Sequence, residues 1–535
     1  MRAIAQKRIG GSVKSPNYRK KFFRSTQLAR PERAEAHSPR HRPTLCTHLL
    51  RHLFEILFVN CGMNKSPFTN TIFKDKRLSR RANTVLEKMT SYGSSVINRF
   101  FTTFADKTAT YRMFNNSKVT KESIVQAYTT ACAEHITEDS SHHVLCIQDT
   151  CEINYEGHNV RMRKKGKKPG CVSNEEAGCF LHPTIAIDAE SLVPYGFTHI
   201  RMWSRIAGTP GCRERKYKKL PAEKKESYRW SESIDKTVKN LGTNVNITML
   251  SDRESDIYEV LRRGNNNGDT VKLIVRSNQN RRLKHYGMKL HDWMKSLTPM
   301  GMYDLLLAPS HGRKGRTAKM EVRYTRICLE HPAGTPKRSD EGLWYNCIRV
   351  SEEESSVPEG EKPIEWVLLT NHEVTSMANA LQCVQWYKCR WYIEELFRVL
   401  KKRGFMIEDI QLEKTECIEK NILFAAYSAL LTITLKHAFD NPELHLETAA
   451  TKIFDADEVE TAKLILPSVN GKTIKQQNPY KEGTLPWMSW IIARLGSWSA
   501  YLSQSRPGYI TFKVGLDRFA ERYEMYRLMK DVYKG

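Results

Sequence analysis

The stretch Tyr387–Lys401, which reads YKCRWYIEELFRVLK, governs the interpretation of the whole chain. Tyr387, Arg390, Glu394 and Lys401 are separated by three, four and seven residues. At about 100° per residue, these steps place all four side chains within roughly 60° of one helix face. An acid, two cations and a phenol on one face are typical of a site that handles a metal ion and a phosphate. The spacing therefore predicts a functional helix.

Upstream of this stretch, the hydrophobic pattern changes from helical to strand-like. Five apolar runs predict strands, and they read HHVLCIQDT, CFLHPTIAID, YGFTHIRMWS, NITMLSD and VKLIVRSNQN. The second and third runs are joined by AESLVP and predict a long hairpin, while Leu220–Leu241 and ESDIYEVLRRG predict helices, the second closed by Gly264. The order is three strands, helix, strand, helix, strand, and then the Glu394 helix. This is the element order of an RNase H-like α/β domain.

Two of the predicted strands stop at an aspartate, Asp149 and Asp252. Adjacent strands could bring these two acids together, with Glu394 approaching from the helix. Three carboxylates in one pocket repel each other and need a cation, and oxygen ligands favour Mg²⁺ or Mn²⁺ over zinc. Singly, each Asp is more often a turn former or helix cap. We interpret Asp256 as a helix-surface acid and Glu395 as rotated off the functional face.

The remaining chain divides by composition into four predicted units. These are a basic, disordered extension over 1–62, a helical DNA-binding domain over 63–136, a catalytic domain over 137–410 interrupted by a β-rich insertion at 281–365, and a helical C-terminal region over 411–535. Arg, Lys, Ser and Pro dominate the extension. An equally good alternative for the extension is that translation starts at Met63.

The net charge of +26 over 535 residues predicts a polyanionic partner, and nucleic acid is the leading candidate. The 13 cysteines include no CxxC pair and no matched Cys/His spacing. We therefore expect neither a zinc site nor a disulfide framework, and we expect a reducing compartment. The apolar stretch Leu49–Cys61 is too short and too charged to span a bilayer. The expectation is a cytoplasmic protein with no membrane partner.

The helix motif and both aspartate contexts resemble the cut-and-paste DDE transposases of bacterial insertion sequences. One branch of that family carries Y, two residues, R, three residues, E, six residues and K, which Tyr387–Lys401 matches at every spacing. Asp149 in IQDT and Asp252 in SDRESDI resemble the family's catalytic aspartates. The resemblance runs from about Phe73 to the C-terminus.

This resemblance implies that Asp149, Asp252 and Glu394 are catalytic and bind Mg²⁺, with Mn²⁺ as a substitute. It implies an enzyme that binds inverted-repeat ends as a homodimer, cleaves double-stranded DNA through a hairpin and joins the ends to target DNA. Its expected location is the bacterial cytoplasm, associated with the nucleoid.

The resemblance also implies contacts with DNA near the acids. Tyr387, Arg390 and Lys401 would hold a 5′ phosphate through charge-assisted bonds. Arg276 would contact DNA at the end of the fifth strand. Trp366 lies 21 residues before Tyr387 and would stack on a flipped base; the alternative is that Trp366 belongs to a strand core.

Outside the catalytic domain, the residues KDKRLSRR and YRMFN resemble the family's end-binding domain. The implied DNA contacts there are Arg77, Arg81, Tyr92 and Arg112. Trp490–Gly496 with Pro507 and Gly508 resembles the family's dimerisation region, and the alternative for this segment is an ordinary helical core.

Two other functions stay open at the level of sequence. One is an RNase H-like structure-selective nuclease, which Tyr387, Arg390 and Trp366 disfavour because a plain hydrolase has no hairpin to manage. The other is an inactive or domesticated DNA-binding copy, which the intact set of three acids disfavours.

Overall fold

The computed structural model describes ten stretches of the chain. They are residues 66–139, 141–155, 170–172, 176–206, 220–266, 270–307, 315–332, 342–401, 404–501 and 504–534. The predicted basic extension over 1–62 and the alternative start at Met63 lie outside the described residues.

The N-terminal part is helical, as its periodicity predicts. Its helices are α1 (Lys76–Tyr92), α2 (Ile97–Phe100), α3 (Phe104–Asn115) and α4 (Lys121–Glu138). The predicted helix start at Thr120 is confirmed by a reciprocal capping box. The Thr120 hydroxyl accepts from the Ser123 N–H at 3.1 Å, and the Ser123 hydroxyl accepts from the Thr120 N–H at 3.0 Å.

The centre of the protein is one large mixed sheet of ten strands among the described residues. The strands are β1 (His143–Gln148), β2 (Cys151–Asn154), β3 (Gly178–Asp188), β4 (Pro194–Trp203), β5 (Asn246–Ser251), β6 (Val271–Arg276), β7 (Gly301–Leu307), β8 (Arg316–Leu329), β9 (Leu343–Glu352) and β10 (Glu365–Thr370). Their order is β2-β3-β1-β5-β6-β10-β9-β8-β7, and β4 also pairs with β3.

Strand directions bring the predicted acids to one edge. β1 is antiparallel to β3 and parallel to β5, and β5 is parallel to β6. Ile147 lies opposite Leu250, so β1 and β5 end at the same level. The five predicted strands are confirmed, as is the hairpin of β3 and β4. β2 is an additional strand that the sequence pattern did not predict.

The β-rich segment predicted over 281–365 does not build a sheet of its own. Its strands β7, β8 and β9 pair in succession, and β9 pairs with β10, which in turn pairs with β6. The segment therefore extends the central sheet away from the acid-bearing strands.

Nine further helices cover the sheet or follow it among the described residues. They are α5 (Tyr228–Leu241), α6 (Tyr258–Asn266), α7 (Leu290–Ser296), α8 (Met377–Lys388), α9 (Trp391–Leu400), α10 (Thr415–Asp440), α11 (Ala456–Val469), α12 (Leu485–Leu495) and α13 (Tyr509–Lys534). Helix α6 does not close at Gly264 as predicted but continues to Asn266. A Cβ at position 264 would collide with Leu273, so glycine permits α6 to lie close to β6.

Helix α10 is long and apolar enough to cross a membrane, yet its most apolar stretch is completely buried inside the structure. It packs against α1, α4, α9, α12 and α13, so it is the central helix of the helical half. Trp490 lies in α12 and is buried in the same core, as the core alternative for Trp490–Gly496 requires. A dimerisation role for this region stays a prediction.

Candidate active site

The two aspartates leave adjacent parallel strands side by side. Asp149 follows β1 and Asp252 follows β5, whose registers are level. The residues immediately before them are joined, because the Gln148 side-chain amide donates to the Ser251 hydroxyl at 3.1 Å. Parallel pairing therefore places both carboxylates at the same end of the sheet. We call this site, formed by Asp149 and Asp252, the acid corner.

Arg390 connects this corner to the helix that carries the third acid. Its Nη1 donates to Asp149 Oδ2 at 3.0 Å, and its Nη2 donates to Glu394 Oε1 at 2.5 Å. Both bonds are charge-assisted. The span of one guanidinium thus brings together two acids that lie more than 200 residues apart in the sequence.

The electrostatic environment of Asp149 is unfavourable to its negative charge. Burial, followed by the negative charge of Asp252, raises the pKa of Asp149 to about 7. The charge of Glu394 acts in the same direction, while the Thr150 N–H and Arg390 oppose the shift. A bound cation would relieve the repulsion between Asp149 and the other two acids.

These residues fit a divalent cation by their chemistry. Carboxylate oxygens are the ligands that Mg²⁺ and Mn²⁺ prefer. Burial is the main cause of the raised pKa of Asp149, and a bound cation would offset the smaller part that comes from the charges of Asp252 and Glu394. Within the described part of the chain, no three His, Cys, Asp or Glu side chains are placed closely enough to hold a metal. Arg390 lies between Asp149 and Glu394 and supplies positive charge there.

The prediction that Tyr387–Lys401 forms one helix was wrong. Helix α8 ends at Lys388 and α9 begins at Trp391. At the junction, the N–H groups of Cys389 and Arg390 donate to carbonyls three residues back, at 2.9 and 3.1 Å. Bonds of this kind tighten the backbone as in a 3₁₀ turn and interrupt the α-helix.

The four motif residues consequently lie on different parts of the α8–α9 segment. Tyr387 is in α8, Arg390 precedes α9, Glu394 is in the first turn of α9, and Lys401 follows its last residue. Lys401 approaches the site beside Cys151. Burial raises the pKa of the Cys151 thiol to about 11, and the charge and hydrogen bond of Lys401 oppose this shift.

Tyr387 is the buried member of the motif, with 4% of its surface exposed. Its ring packs edge-on against Trp366, with the ring centroids 5.7 Å apart. Trp366 is half-buried on β10. Burial raises the pKa of Tyr387, so the phenol keeps its proton at neutral pH and can donate a hydrogen bond. Base stacking by Trp366 stays a prediction.

Arg276 is the last residue of β6 and borders the Asp252 side of the corner. Its Nη2 donates to the Glu365 carbonyl at 3.0 Å. Burial, and then the positive charges of Arg253 and Arg390, lower the pKa of Arg276. Close cations of this kind favour an anion in their midst.

The residues predicted to contact DNA in the N-terminal helices differ in their surroundings. Arg77 and Arg112 are exposed, the former over 91% of its side chain. Arg81 donates to Asp106 at 2.8 Å. Tyr92 faces α13, where burial and the charge of Glu524 raise its pKa. Arg77 also lies 3.6 Å from Asp75, but its exposure and that of Arg112 make these two side chains more accessible to DNA than Arg81 and Tyr92.

Asp256 is not the surface acid that we inferred from sequence. It is 1% exposed, accepts the N–H groups of Asn278 and Gln279 at 2.7 and 2.8 Å, and pairs with Arg281 at 2.7 Å. Glu395 is also buried and accepts from Trp391 Nε1 at 3.0 Å. Asp256 therefore holds the backbone at Asn278 and Gln279 in place, whereas the hydrogen-bond donor to Glu395 is a side chain.

Sequence reasoning missed Arg229, which lies on α5 and hydrogen-bonds Thr150 at 2.8 Å and Glu254 at 2.6 Å. It also missed His182, a fully buried imidazole of β3 that hydrogen-bonds Thr150 at 2.9 Å. A histidine in an otherwise apolar strand was the one available signal. Nothing in the local sequence distinguishes Arg229 from other arginines of a charged helix.

Comparison with known proteins identifies the N-terminal helices. Residues 63–119 match a family model described as Transposase DNA-binding. The match includes α1, α2 and α3 and therefore all four predicted DNA contacts of that unit. It supports a DNA-binding transposase.

Among solved structures, the chain is similar to a piggyBac transposase synaptic complex with hairpin DNA, determined by cryo-EM. The similarity covers 76% of this chain and 74% of that chain, at 9% identity and a TM-score of 0.32. A TM-score of this size does not establish a common fold.

Proposed function

We propose that this chain is a DDE-type DNA transposase that binds the inverted-repeat ends of an insertion sequence. The observation that carries the proposal is the meeting of Asp149 and Asp252 at the ends of adjacent strands, with Arg390 bridging Asp149 to Glu394. The transposase DNA-binding match over residues 63–119 supports it independently.

The proposed catalytic core is RNase H-like. Its support is the local strand order β4-β3-β1-β5-β6, in which β3 and β4 are antiparallel neighbours while β1, β5 and β6 run parallel. Glu394, in the first turn of α9, is linked to Asp149 after β1 through the Arg390 guanidinium. In the proposed core, Asp149, Asp252 and Glu394 come from three separate elements, and Arg390 lies between Asp149 and Glu394.

In this proposal, Asp149, Asp252 and Glu394 hold Mg²⁺, or Mn²⁺ in its place. The bound ions supply activation of a water or 3′-hydroxyl and stabilisation of the leaving oxygen. Arg390 would exchange its two acids for a DNA phosphate, to which a guanidinium can make paired hydrogen bonds. Tyr387, which stays protonated, would donate to the same phosphate, and Trp366 would hold the Tyr387 ring and an unstacked base.

One constellation of acids suffices for the whole proposed reaction. Nicking of one strand, attack of the released 3′-hydroxyl on the other strand, hairpin opening and joining to target DNA are all phosphoryl displacements. A homodimer on paired ends, in the cytoplasm near the bacterial nucleoid, is the proposed setting.

The test uses the purified full chain and a duplex carrying the genomic sequences that flank its coding region. With Mg²⁺ we expect cleavage at the element ends, and without it we expect binding alone. Asp149→Ala and Glu394→Ala should each abolish cleavage and leave end binding within about twofold, because the acids touch the metal rather than the recognised sequence. Asp304→Ala, at an exposed acid on the edge strand β7, is the matched control.

The same assay separates the alternatives. Joining of a pre-cleaved end to a target plasmid identifies a transposase, and hydrolysis without joining identifies a nuclease. Binding without any cleavage identifies an inactive DNA-binding copy. Cleavage that survives Asp149→Ala or Glu394→Ala would overturn the assignment of the acids.

A further inference from the structure

Arg229 contacts both loops that carry the aspartates. Its Nε donates to the Thr150 hydroxyl at 2.8 Å, and Thr150 directly follows Asp149. Its Nη2 donates to a Glu254 carboxylate oxygen at 2.6 Å. The backbone N–H of Glu254 in turn donates to Asp252 Oδ1 at 2.9 Å. One guanidinium on α5 therefore spans the two loops from outside the sheet.

A second connection runs between the same loops through the sheet. Since the Arg229 guanidinium can only donate, the Thr150 hydroxyl accepts its bond and directs its own hydrogen to His182 Nδ1, at 2.9 Å. His182 Nε2 then donates to the Gln148 side-chain oxygen at 3.3 Å, and the Gln148 amide donates to Ser251 at 3.1 Å. These donor directions are assigned from the pattern of partners.

The His182 imidazole in this series of hydrogen bonds is neutral, as the donor directions require. Burial, followed by the positive charge of Arg229, holds the pKa of His182 well below its usual range. A neutral ring has one donor and one acceptor nitrogen, which match the Gln148 oxygen and the Thr150 hydroxyl. In this assignment, His182 Nδ1 accepts from Thr150 and His182 Nε2 donates to Gln148.

Together the two connections form a closed ring around the acid corner. The ring passes from Arg229 through Thr150, His182 and Gln148 to Ser251, and it returns to Arg229 through the Asp252 loop and Glu254. The Arg229 side chain is 12% exposed. It lies 5.1 Å from the ring centroid of Trp230 and 5.8 Å from that of Trp203, which restricts its movement.

We propose that Arg229 is a positioning residue that sets the separation and direction of Asp149 and Asp252 by holding Thr150 and Glu254 at a fixed span. This proposal rests on the proposed function, because it assigns a metal-binding task to the two aspartates. A lysine could not replace it fully, since a single ammonium lacks the planar fork that reaches two divergent acceptors.

The test compares Arg229→Met and Arg229→Lys with Arg263→Met in the full chain. Arg263 is the matched control because it joins α6 to α5 through a similar bond, from its Nε to Asp235 at 2.7 Å, but contacts neither aspartate loop by any bond described above. Mn²⁺ affinity of the DNA-free protein is measured by electron paramagnetic resonance, with Asp149→Ala identifying the signal of this site. The Mg²⁺ midpoint of cleavage, end binding and thermal stability are measured alongside.

We expect Arg229→Met to weaken Mn²⁺ affinity and to raise the Mg²⁺ midpoint by about 10–100-fold, as happens when a side chain that holds a metal ligand in place is lost. Arg229→Lys should fall between Arg229→Met and the wild type. Arg263→Met should lower thermal stability but leave Mn²⁺ affinity within about twofold. Thr150→Val should also weaken Mn²⁺ affinity, whereas Thr150→Ser should retain it, because only the hydroxyl of Thr150 takes part in the ring.

Equal Mn²⁺ affinities in Arg229→Met, Arg263→Met and the wild type would overturn the proposal. A Mn²⁺ signal that Asp149→Ala leaves unchanged would overturn it as well. If the wild type binds Mn²⁺ through Asp149 but never cleaves DNA, the proposed function fails, while the role of Arg229 is still decided by Mn²⁺ affinity.

Discussion

The two ends of strand β1 carry polar clusters of opposite character. At its amino end, the imidazoles of His143 and His372 both bond the Thr248 hydroxyl at 2.8 Å. At its carboxyl end, Asp149 faces other acids and is bonded by Arg390. The strand, the sheet and the depth in the fold are shared, so the chemistry of the side chains makes the difference.

The amino-end cluster satisfies itself. One hydroxyl can accept from one imidazole and donate to the other, and burial lowers the pKa of both rings, that of His372 to about 3, so both stay neutral. The carboxyl-end cluster retains repulsion among Asp149, Asp252 and Glu394. A cluster whose hydrogen bonds are satisfied stabilises the fold, whereas a cluster of mutually repelling carboxylates is suited to binding a cation.

The strongest test of this contrast changes one residue at each end of β1. Asp149→Asn should reduce DNA cleavage by about 10³-fold or more, because a lost metal ligand removes several kcal/mol of transition-state stabilisation. His143→Gln should leave the cleavage rate within about threefold. Rates on end-bearing duplex DNA measure both, and equal losses would remove the functional distinction between the ends.

Arg390 provides the next largest effect, since it partly neutralises the carboxyl end. Arg390→Met should lower cleavage by about 10²-fold through loss of the proposed phosphate contact. In the absence of DNA, the same change should tighten Mn²⁺ binding by about tenfold, because a competing positive charge is gone. Arg390→Lys retains the charge and is the control; weaker Mn²⁺ binding by Arg390→Met would contradict this view of the site.

At the amino end, Thr248→Val should cost about 1–3 kcal/mol of unfolding free energy, since it leaves buried imidazole nitrogens without their shared partner. Cleavage at a permissive temperature should not change. Urea denaturation and the cleavage rate measure the two quantities. A drop in cleavage with unchanged stability would show that the amino end takes part in function.

The last expected effect, which concerns stability and not cleavage, is an opposite dependence of stability on pH at the two ends. The pKa of Asp149 is raised from 3.8 to about 7 in the folded protein. The protonated carboxyl therefore adds to the free energy of unfolding below pH 4, and this stabilisation is lost as the pH rises to 7. The pKa of His372 is lowered from 6.5 to about 3 in the folded protein. The neutral imidazole therefore adds to the free energy of unfolding above pH 6.5, and this stabilisation is lost as the pH falls to 3.

Thermal melts of metal-free, DNA-free protein between pH 4 and pH 8 test this pair of slopes. The melting temperature of the wild type minus that of Asp149→Asn should decrease with rising pH. The corresponding difference for His372→Gln should increase with rising pH. Slopes of the same sign would show that one of the two environments is misassigned.

Much of the acid corner could be predicted because its signals are local. Asp149 and Asp252 each end an apolar run, and hydrophobic periodicity located β1 and β5. The break at Cys389 and Arg390 could not be predicted, because these residues are compatible with a continuous helix and the N–H bonds three residues back form only in the folded protein. Lys401 accordingly reaches the corner from the end of α9.

Local sequence thus predicted five strands of the sheet and the residue types that meet at the site, but neither β2 nor the break between α8 and α9. The tertiary structure alone decided their partners: Arg390 between two acids, Arg229 across two loops and Asp256 buried against Arg281. The physical reason is distance along the chain. Arg229 and Thr150 are 79 residues apart, and Arg390 and Asp149 are 241 apart. Pairings over such separations depend on how the sheet and helices pack, which no local pattern encodes.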